Sequence, residues 1–272
     1  MSNSFLNFEK NRIAIFFKFI VEYLKLQIAR FQNGNYVVEK PLVSIIIATY
    51  NRGKILCERT LPSIFNQSYS NFEIIIVGDH VIDNTEELIS IISDKRLKFI
   101  NLEKRTIYPT DPINRWMVAG ARPRNIAISK AKGDWIYVIS DDDILLPNCL
   151  EKMLQFSNTG NYESISSQYI SYENSIEKIF GAEEVKNQLG FYMTGIPSWM
   201  YRRYLSFFKW NINSWKKKWN KPSDYDLQHR MKNAGVRMGY FDDVVAISPL
   251  VEGTSLTGSQ AALMLSKTGK YK

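Results

Sequence analysis

Short apolar runs alternate along the chain with longer amphipathic segments, which is the pattern of an α/β protein. Runs of about four to eight apolar and β-branched residues predict strands that are buried on both faces. Such runs occupy residues 41–48, 72–77, 97–102 and 134–139. Helices are predicted between them, at about residues 54–67, 85–92 and 122–132. This alternation predicts a mostly parallel, right-handed sheet flanked by helices.

The N-terminal segment, residues 5–31, is predicted to form one long amphipathic helix. Lys18, Glu22 and Lys25 form a narrow polar stripe on it, and the remaining surface is apolar. Because these charges interrupt the apolar run, the segment lacks the roughly 18 uninterrupted apolar residues expected of a transmembrane helix. No signal-peptide cleavage site follows it. The wide apolar face therefore packs on the rest of the chain, on a partner, or at a membrane interface.

The hydrophobic pattern divides the chain into three parts. Residues 1–40 contain the N-terminal helix and a linker, and residues 41–157 contain the regular alternation of strands and helices. The alternation fades over residues 158–272, where strands at about 164–172 and 236–241 are predicted, together with a helix that is capped by Ser223 and runs to about residue 233.

Three adjacent carboxylates, Asp141, Asp142 and Asp143, end the apolar run at 134–139. In open α/β sheets the carboxyl ends of the strands border the crevice that binds ligands. Tyr50 and Asp79 follow two other predicted strands, so we expect their side chains to meet the acids at one edge. Crowded carboxylates are typical of a site for Mg²⁺ or Mn²⁺, although a solvated turn would also explain them.

The chain has 272 residues and a net charge of +8, from 35 basic and 27 acidic side chains. The excess of positive charge favours anionic partners. This charge and the Trp/Lys-rich segment at 210–221 would also fit a nucleic-acid-binding protein. That function would leave the three acids without a role, so nucleic acid is not an expected partner. The two cysteines, Cys57 and Cys149, lie far apart and indicate a reducing, cytoplasmic compartment.

Four segments resemble, in order and spacing, the inverting glycosyltransferases of family 2. They are residues 43–52, 67–79, 124–128 and 140–143, and the resemblance extends over about residues 41–246. It implies a GT-A fold, with a nucleotide-sugar-binding half at 41–157 joined to an acceptor-binding half at 158–272. It also implies a nucleotide-sugar donor and Mn²⁺ or Mg²⁺ as cofactor.

The resemblance assigns the donor site residue by residue. Ala48, Thr49 and Tyr50 would line the base and ribose, with the Tyr50 ring stacked on the base, and Asp79 would bind the uracil imide of a UDP-sugar.

The same resemblance assigns the acids to the metal. Asp142 would be the direct ligand, Asp141 would lie nearer the ribose or a metal-bound water, and Asp143 would complete the group. Ser140 replaces the first acid of the commonest family motif, which leaves open how the three acids divide the work.

The diphosphate would be bound by one of Arg115, Arg122 and Arg124, of which Arg124 matches the family's Arg-Asn pair. Residues 223–230 resemble the family's Glu-Asp-x-Asp-Leu-x-x-Arg motif with Ser223 in place of Glu, which makes Asp224 the catalytic base. The acceptor would lie near Trp199 and Asp226.

The sequence thus predicts a metal-dependent, inverting glycosyltransferase. It would move a sugar from a nucleotide sugar, a UDP-sugar, to a glycan or lipid-linked glycan acceptor in surface polysaccharide synthesis. Ser140 and Ser223 leave open a second hypothesis, a sugar-nucleotide-binding protein that has lost catalysis. The N-terminal helix and the Trp/Lys-rich segment could both contact the inner membrane face.

Overall fold

The computed structural model describes residues 3–33, 38–181, 193–216, 219–251, 255–258, 260 and 263–264, with side chains from residue 17 onward. The strands are β1 (Val43–Thr49), β2 (Phe72–Gly78), β3 (Leu97–Asn101), β4 (Trp135–Ser140), β5 (Ile144–Leu145), β6 (Ser164–Glu173), β7 (Ile176–Phe180), β8 (Trp199–Arg202) and β9 (Met238–Ile247). The helices are α1 (Asn3–Asn33), α2 (Gly53–Ile55), α3 (Leu61–Phe65), α4 (Thr85–Ser90), α5 (Pro112–Val118), α6 (Ala121–Lys130), α7 (Cys149–Ser157) and α8 (Ser223–Asn233). A π-helical turn, Leu56–Thr60, joins α2 to α3.

The four strands predicted from the apolar runs form the parallel part of one sheet, in the order β3-β2-β1-β4. β1 is parallel to both β2 and β4, and Ala48 pairs with Val77 on one side and Ser140 on the other. The Ile-rich centres of these strands are buried, with helices and apolar clusters on both faces. The register brings the carboxyl ends of β1, β2 and β4 to one edge.

The sheet continues through the second half of the chain. β8 is antiparallel to β4, β6 is antiparallel to β8, and β9 is parallel to β6. The predicted α/β class with an N-terminal helix is confirmed. β9 extends well beyond the predicted strand at 236–241.

One predicted loop contains a helix. No helix or strand was predicted between the strand at 97–102 and the helix at 122–132, but α5 begins at Pro112. The Asp111 carboxylate caps this helix by accepting a hydrogen bond from the Asn114 N–H at 2.8 Å. Proline suits the first helical position because it lacks the N–H that would have no intrahelical partner there.

α1 is a single helix, as predicted, but its orientation is not the expected one. The prediction of a solvent-facing polar stripe is wrong at Glu22, which is buried against Arg230 of α8 at 2.5 Å. Intramolecular packing of the wide apolar face is also contradicted over residues 17–33, since Leu24 and Ile28 are more than half exposed. Among the described residues, no helix combines the length and hydropathy needed to cross a bilayer.

Candidate functional site

A cleft of about 870 Å³ opens at the carboxyl ends of β1, β2 and β4. It is closed on the opposite side by the start of α8 and by the segment around Ile196. Ten of the residues predicted for the site line it: Ala48, Thr49, Tyr50, Asp79, Arg115, Arg124, Asp141, Asp142, Asp143 and Asp224. Residues from both halves of the chain therefore meet in one cavity.

The acid group lies at the centre of this edge, held by neighbours from β1 and the turn after it. The Thr49 hydroxyl donates to Asp141 Oδ2 at 2.7 Å. The Arg52 guanidinium bridges two carboxylates, with Nη1 3.1 Å from Asp141 Oδ1 and Nη2 2.8 Å from Asp142 Oδ2. A positive group thus already lies between the two acids that were predicted to bind a cation.

Burial changes the protonation of two of the acids. Desolvation raises the pKa of Asp141 to about 6, against the opposing effect of Arg52. Desolvation and the charge of Asp142 raise the pKa of Asp143 to about 7. Asp143 also accepts a hydrogen bond from the Ser140 N–H at 3.2 Å, which fixes the turn at the end of β4. Both shifts favour the protonated carboxyl group, because burial and the neighbouring carboxylate penalise the ionised form.

These residues fit a divalent cation that keeps open coordination positions. In the part of the chain that the structure describes, no group of three or more His, Cys, Asp or Glu side chains forms a metal cage. Mg²⁺ is typically held by one or two carboxylates together with substrate phosphates and water. The half-buried Asp142 and its neighbour Asp141 supply carboxylate oxygens of this kind. The Arg52 guanidinium already contacts both side chains, so a positive charge fits at this position.

Asp79 follows β2 and is almost fully buried in the cleft wall. Its Oδ1 accepts hydrogen bonds from the Thr106 N–H at 3.0 Å and the Thr106 hydroxyl at 2.6 Å. Its Oδ2 accepts from the Tyr108 hydroxyl at 2.7 Å. An ionised carboxylate offers about four acceptor positions, so one remains for a ligand donor.

Tyr50 lies at the mouth of the cleft and is 36% exposed. The Arg105 guanidinium carbon lies 3.1 Å from the centroid of the Tyr50 ring. Arg105 covers one face of the ring, so a base stacked on Tyr50 would have to displace Arg105 or use the other face.

The three candidate arginines differ in position. Arg124, on α6, is buried over the Trp210 ring, donates to the Ala119 carbonyl oxygen at 2.8 Å, and has an Nε atom with no hydrogen-bond partner. Arg115 lies on α5 in the cleft wall. Arg122 is exposed, bonds to the Lys104 carbonyl oxygen and does not line the cleft.

Asp224 is the second residue of α8 and lines the cleft. Burial raises the pKa of its carboxyl group, while the Tyr225 N–H, bonded to Oδ1 at 2.9 Å, and the charge of Arg124 oppose the rise. Arg124 also interacts electrostatically with Asp141 and Asp143. Arg124 therefore interacts with the base candidate and with two of the three acids.

Two acceptor-site predictions are wrong. Trp199 is fully buried in β8, where its indole N–H bonds to the Ser164 hydroxyl at 2.8 Å, because the strand pairs on both edges within the sheet. Asp226 is buried on the far side of α8 and accepts a hydrogen bond from Arg230 Nε at 2.8 Å. Both side chains stabilise the core and do not line the cleft.

Arg52, Arg105, Thr106 and Tyr108 belong to the site but were not predicted. Arg52 had a visible signal, since it directly follows the turn after β1 at the edge that holds the acids. The other three lie in an irregular loop more than twenty residues from their partners, and nothing in their local sequence indicates those contacts.

Curated proteins similar to this chain include glycosyltransferases. An uncharacterized glycosyltransferase of Haemophilus influenzae is 38% identical over 43% of this chain and 42% of its own length. The Escherichia coli UDP-Glc:alpha-D-GlcNAc-diphosphoundecaprenol beta-1,3-glucosyltransferase WfaP is 32% identical over 52% of this chain and 51% of its own length. The chain spans about half the length of these relatives.

Solved structures share the fold. Staphylococcus aureus TarS in complex with UDP-GlcNAc has a TM-score of 0.59 at 18% identity, covering 78% of this chain and 60% of TarS. The mannosyltransferase PcManGT from Pyrobaculum calidifontis, in complex with GDP-Man and Mn²⁺, has a TM-score of 0.57 at 15% identity. The match covers 95% of this chain and 72% of PcManGT. The expected GT-A fold is confirmed.

The sequence model of Glycosyl transferase family 2 matches residues 44–215. This match covers β1 to β4, the acid group and β8, and more than half of the chain. The protein therefore belongs to glycosyl transferase family 2.

Proposed function

We propose that this protein is a metal-dependent, inverting glycosyltransferase. It would transfer a sugar from a nucleotide sugar to a hydroxyl group of a glycan or lipid-linked glycan in surface polysaccharide synthesis. The observation that supports this most strongly is that Asp224 lines the same cleft as Asp141 and Asp142. A displacement at the anomeric carbon needs a base for the nucleophile and positive charge for the leaving group, on opposite sides of the sugar.

Asp224 would accept the proton of the acceptor hydroxyl as the new bond forms. Because the nucleophile enters from the Asp224 side and the diphosphate leaves toward the acids, a single displacement inverts the anomeric carbon. General-base assistance of this kind typically contributes about 10² to 10⁴ in rate.

Asp142 and Asp141 would hold the cation on the leaving-group side. When bound there, Mn²⁺ or Mg²⁺ supplies Lewis-acid stabilisation of the departing diphosphate. Arg124, buried and with an unpartnered Nε, would add a fixed positive charge in a water-poor wall, where electrostatic stabilisation is strongest. Arg115 would approach the same oxygens from α5.

The donor we propose is a UDP-sugar. The remaining acceptor position of Asp79 suits the imide N–H of uracil, and Thr106 and Tyr108 hold the carboxylate in place for it. The similar TarS structure contains UDP-GlcNAc, whereas PcManGT contains GDP-Man, so relatives of this fold use more than one nucleotide.

A thermal-shift panel of UDP, GDP, CDP and dTDP sugars with Mn²⁺ tests the choice of donor. The largest increase in unfolding temperature is expected for a UDP-sugar.

The acceptor would enter beside Asp224, where Ile196, Pro197, Tyr169 and Met193 line the cleft. Two Escherichia coli relatives, WfaP and WfgD, are glucosyltransferases named for transfer to GlcNAc-diphosphoundecaprenol. A lipid-linked acceptor of this class would place the protein at the cytoplasmic face of a membrane, as a peripheral protein.

Transfer assays with single variants test the proposal. With Mn²⁺, the donor chosen by the panel and a synthetic lipid-diphosphate sugar, we expect the wild type to form a product with inverted configuration. Asp142→Asn and Asp224→Asn should each abolish most of this activity. Asp242→Asn is the matched control, since Asp242 is exposed and lies outside the cleft lining, and it should retain full activity.

The second hypothesis, a binding protein without catalysis, rests on Ser140 and Ser223. Ser140 lines the cleft, and Ser223 is buried at the first position of α8. A protein that binds the donor tightly and yet neither transfers nor hydrolyses the sugar would support this hypothesis over the enzyme.

A further inference from the structure

α1 exposes a continuous apolar stripe. Phe17, Ile20, Val21, Leu24, Ile28 and Phe31 are between 38% and 91% exposed. Their spacing of three and four residues places them on one face of the helix, over a length of about 21 Å. Scattered exposed apolar residues are normal on a protein surface, but a contiguous stripe of this size indicates an interaction surface.

The opposite face of α1 is fixed to the protein by polar contacts. Arg230 of α8 pairs with Glu22, and Arg30 binds Glu163 through two hydrogen bonds of 2.8 and 2.6 Å. Leu26 and Ala29 are buried between these ion pairs. The helix is therefore held with its charged side inward, and it cannot turn its apolar stripe toward the core without breaking both pairs.

The charges on the outer side of α1 are positive. Glu22 is the single acidic residue between positions 17 and 33, and it is buried. Lys25 is exposed beside the stripe, and the Lys18 ammonium lies 5.3 Å from the centroid of the Trp219 ring. The Lys18 contact brings the Trp/Lys-rich segment, with exposed Lys216, next to the helix.

We propose that this stripe is a membrane-contact surface that lies in the interface of an anionic lipid bilayer. The apolar side chains would enter the acyl boundary while Lys25, Lys18 and Lys216 meet acidic headgroups. A second copy of the chain fits the charges less well, because pairing residues 17–33 of two copies would bring lysines together while Glu22, the one carboxylate of this segment, is buried.

The attachment has a consequence for the cleft. α8 carries Asp224 at its start and Arg230 two turns later, so the same helix forms the site wall and anchors α1. A bilayer bound to α1 would therefore hold the cleft at a fixed position relative to the lipid surface.

Vesicle flotation of the full-length protein tests the proposal, without donor or acceptor, so its result does not depend on the transfer reaction. The vesicles are phosphatidylcholine alone or an equal mixture with phosphatidylglycerol. We expect the wild type to bind the anionic vesicles. The double variant Leu24→Gln/Ile28→Gln should weaken this binding by about tenfold or more, and Lys25→Gln by about fivefold on the anionic vesicles alone.

The matched control is Ile91→Gln/Ile176→Gln, which removes two exposed isoleucines away from α1 and should bind like the wild type. Equal unfolding temperatures of all variants exclude misfolding as the cause. The proposal is overturned if the wild type does not float with anionic vesicles, or if the control variant loses as much binding as the α1 variant. Sedimentation that shows a dimer lost in Leu24→Gln/Ile28→Gln, with no vesicle binding, would assign the stripe to a second copy instead.

Discussion

At the scale of single residues, the protonation of Asp224 links the structure to the proposed chemistry. A base must be ionised to accept a proton, and burial raises the pKa of this carboxyl group. Activity should therefore fall as the pH drops, at a pH above the ordinary aspartate pKa of about 3.9. Because Arg124 opposes the rise, Arg124→Gln should move this acid limb to higher pH, as measured in the pH profile of kcat/KM.

Asp224→Asn should lower kcat by about 10² to 10⁴ and leave donor binding nearly unchanged, since the side chain acts on the acceptor hydroxyl. Single-turnover kinetics and donor titration separate the two effects. A parallel loss of donor affinity would show that Asp224 binds the nucleotide sugar rather than acting as the base.

Arg52 lies between Asp141 and Asp142, where its guanidinium and a divalent cation would compete for the same oxygens. Arg52→Gln removes the resident positive charge, so we expect Mn²⁺ to bind the nucleotide-free variant about tenfold more tightly than the wild type. Electron paramagnetic resonance of free Mn²⁺ measures this directly. Weaker Mn²⁺ binding in the variant would mean that Arg52 positions the two carboxylates for the metal instead of competing with the metal for them.

At the scale of elements, the contacts of α1 join segments that are far apart in sequence. Glu22 and Arg230 are 208 residues apart, and Arg230 also pairs with Asp226. Removing one partner of a buried ion pair typically costs about 3 kcal/mol. We expect Glu22→Gln to lower the free energy of unfolding by roughly this amount in urea titrations. Lys25→Gln, on the exposed side of the same helix, should change it by less than about 0.5 kcal/mol.

Glu163 gives the same helix a pH-dependent attachment. Burial would raise the pKa of this carboxyl group, but hydrogen bonds from Arg30, the Arg237 N–H and the Tyr204 hydroxyl hold it below its ordinary value. Its stabilising effect is therefore present above the unfolded pKa of about 4.3 and is lost as the pH falls through the lower folded value.

The corresponding prediction compares Glu163→Gln with the wild type across pH. The variant should be less stable at pH 7, and the difference in the free energy of unfolding should shrink below about pH 4. Urea unfolding at several pH values measures it. A difference that stays constant over the acid range would show that Glu163 contributes packing rather than charge.

The elements that sequence predicted well are those with strong local signals. α8 ends at the predicted residue, Asn233, but Ser223 is its first residue rather than its predicted cap. β1, β2 and β4 differ from their predictions by two residues or fewer at either end, because short apolar runs bounded by polar residues are typical of buried strands. α5 also has a local signal, since Asp111-Pro112 is a typical cap and first residue of a helix, although no helix was predicted there. β8 was not predicted, since its strand character depends on pairing with β4 and β6 rather than on its four residues.

At the scale of the whole molecule, sequence could place seven of the ten predicted cleft residues at one edge because the ends of parallel strands meet there. Arg115, Arg124 and Asp224 lie on helices, and the family resemblance rather than strand position indicated them. It could not place Trp199 or Asp226, because the direction of those side chains depends on sheet order and on Arg230. The same limit applies to α1. Hydrophobicity left open whether its apolar face packs on the rest of the chain, on a partner or at a membrane, whereas the distant charges of Arg230 and Glu163 determine that the polar face is inside.

A divalent cation beside Asp142 that binds the diphosphate of a nucleotide is central to the proposed mechanism. Calorimetric titration of UDP, with and without Mn²⁺, into the wild type and Asp142→Asn tests this claim directly. We predict that Mn²⁺ tightens UDP binding to the wild type by about tenfold or more, and that Asp142→Asn loses this gain. Equal UDP affinity with and without Mn²⁺, unchanged by Asp142→Asn, would contradict the account.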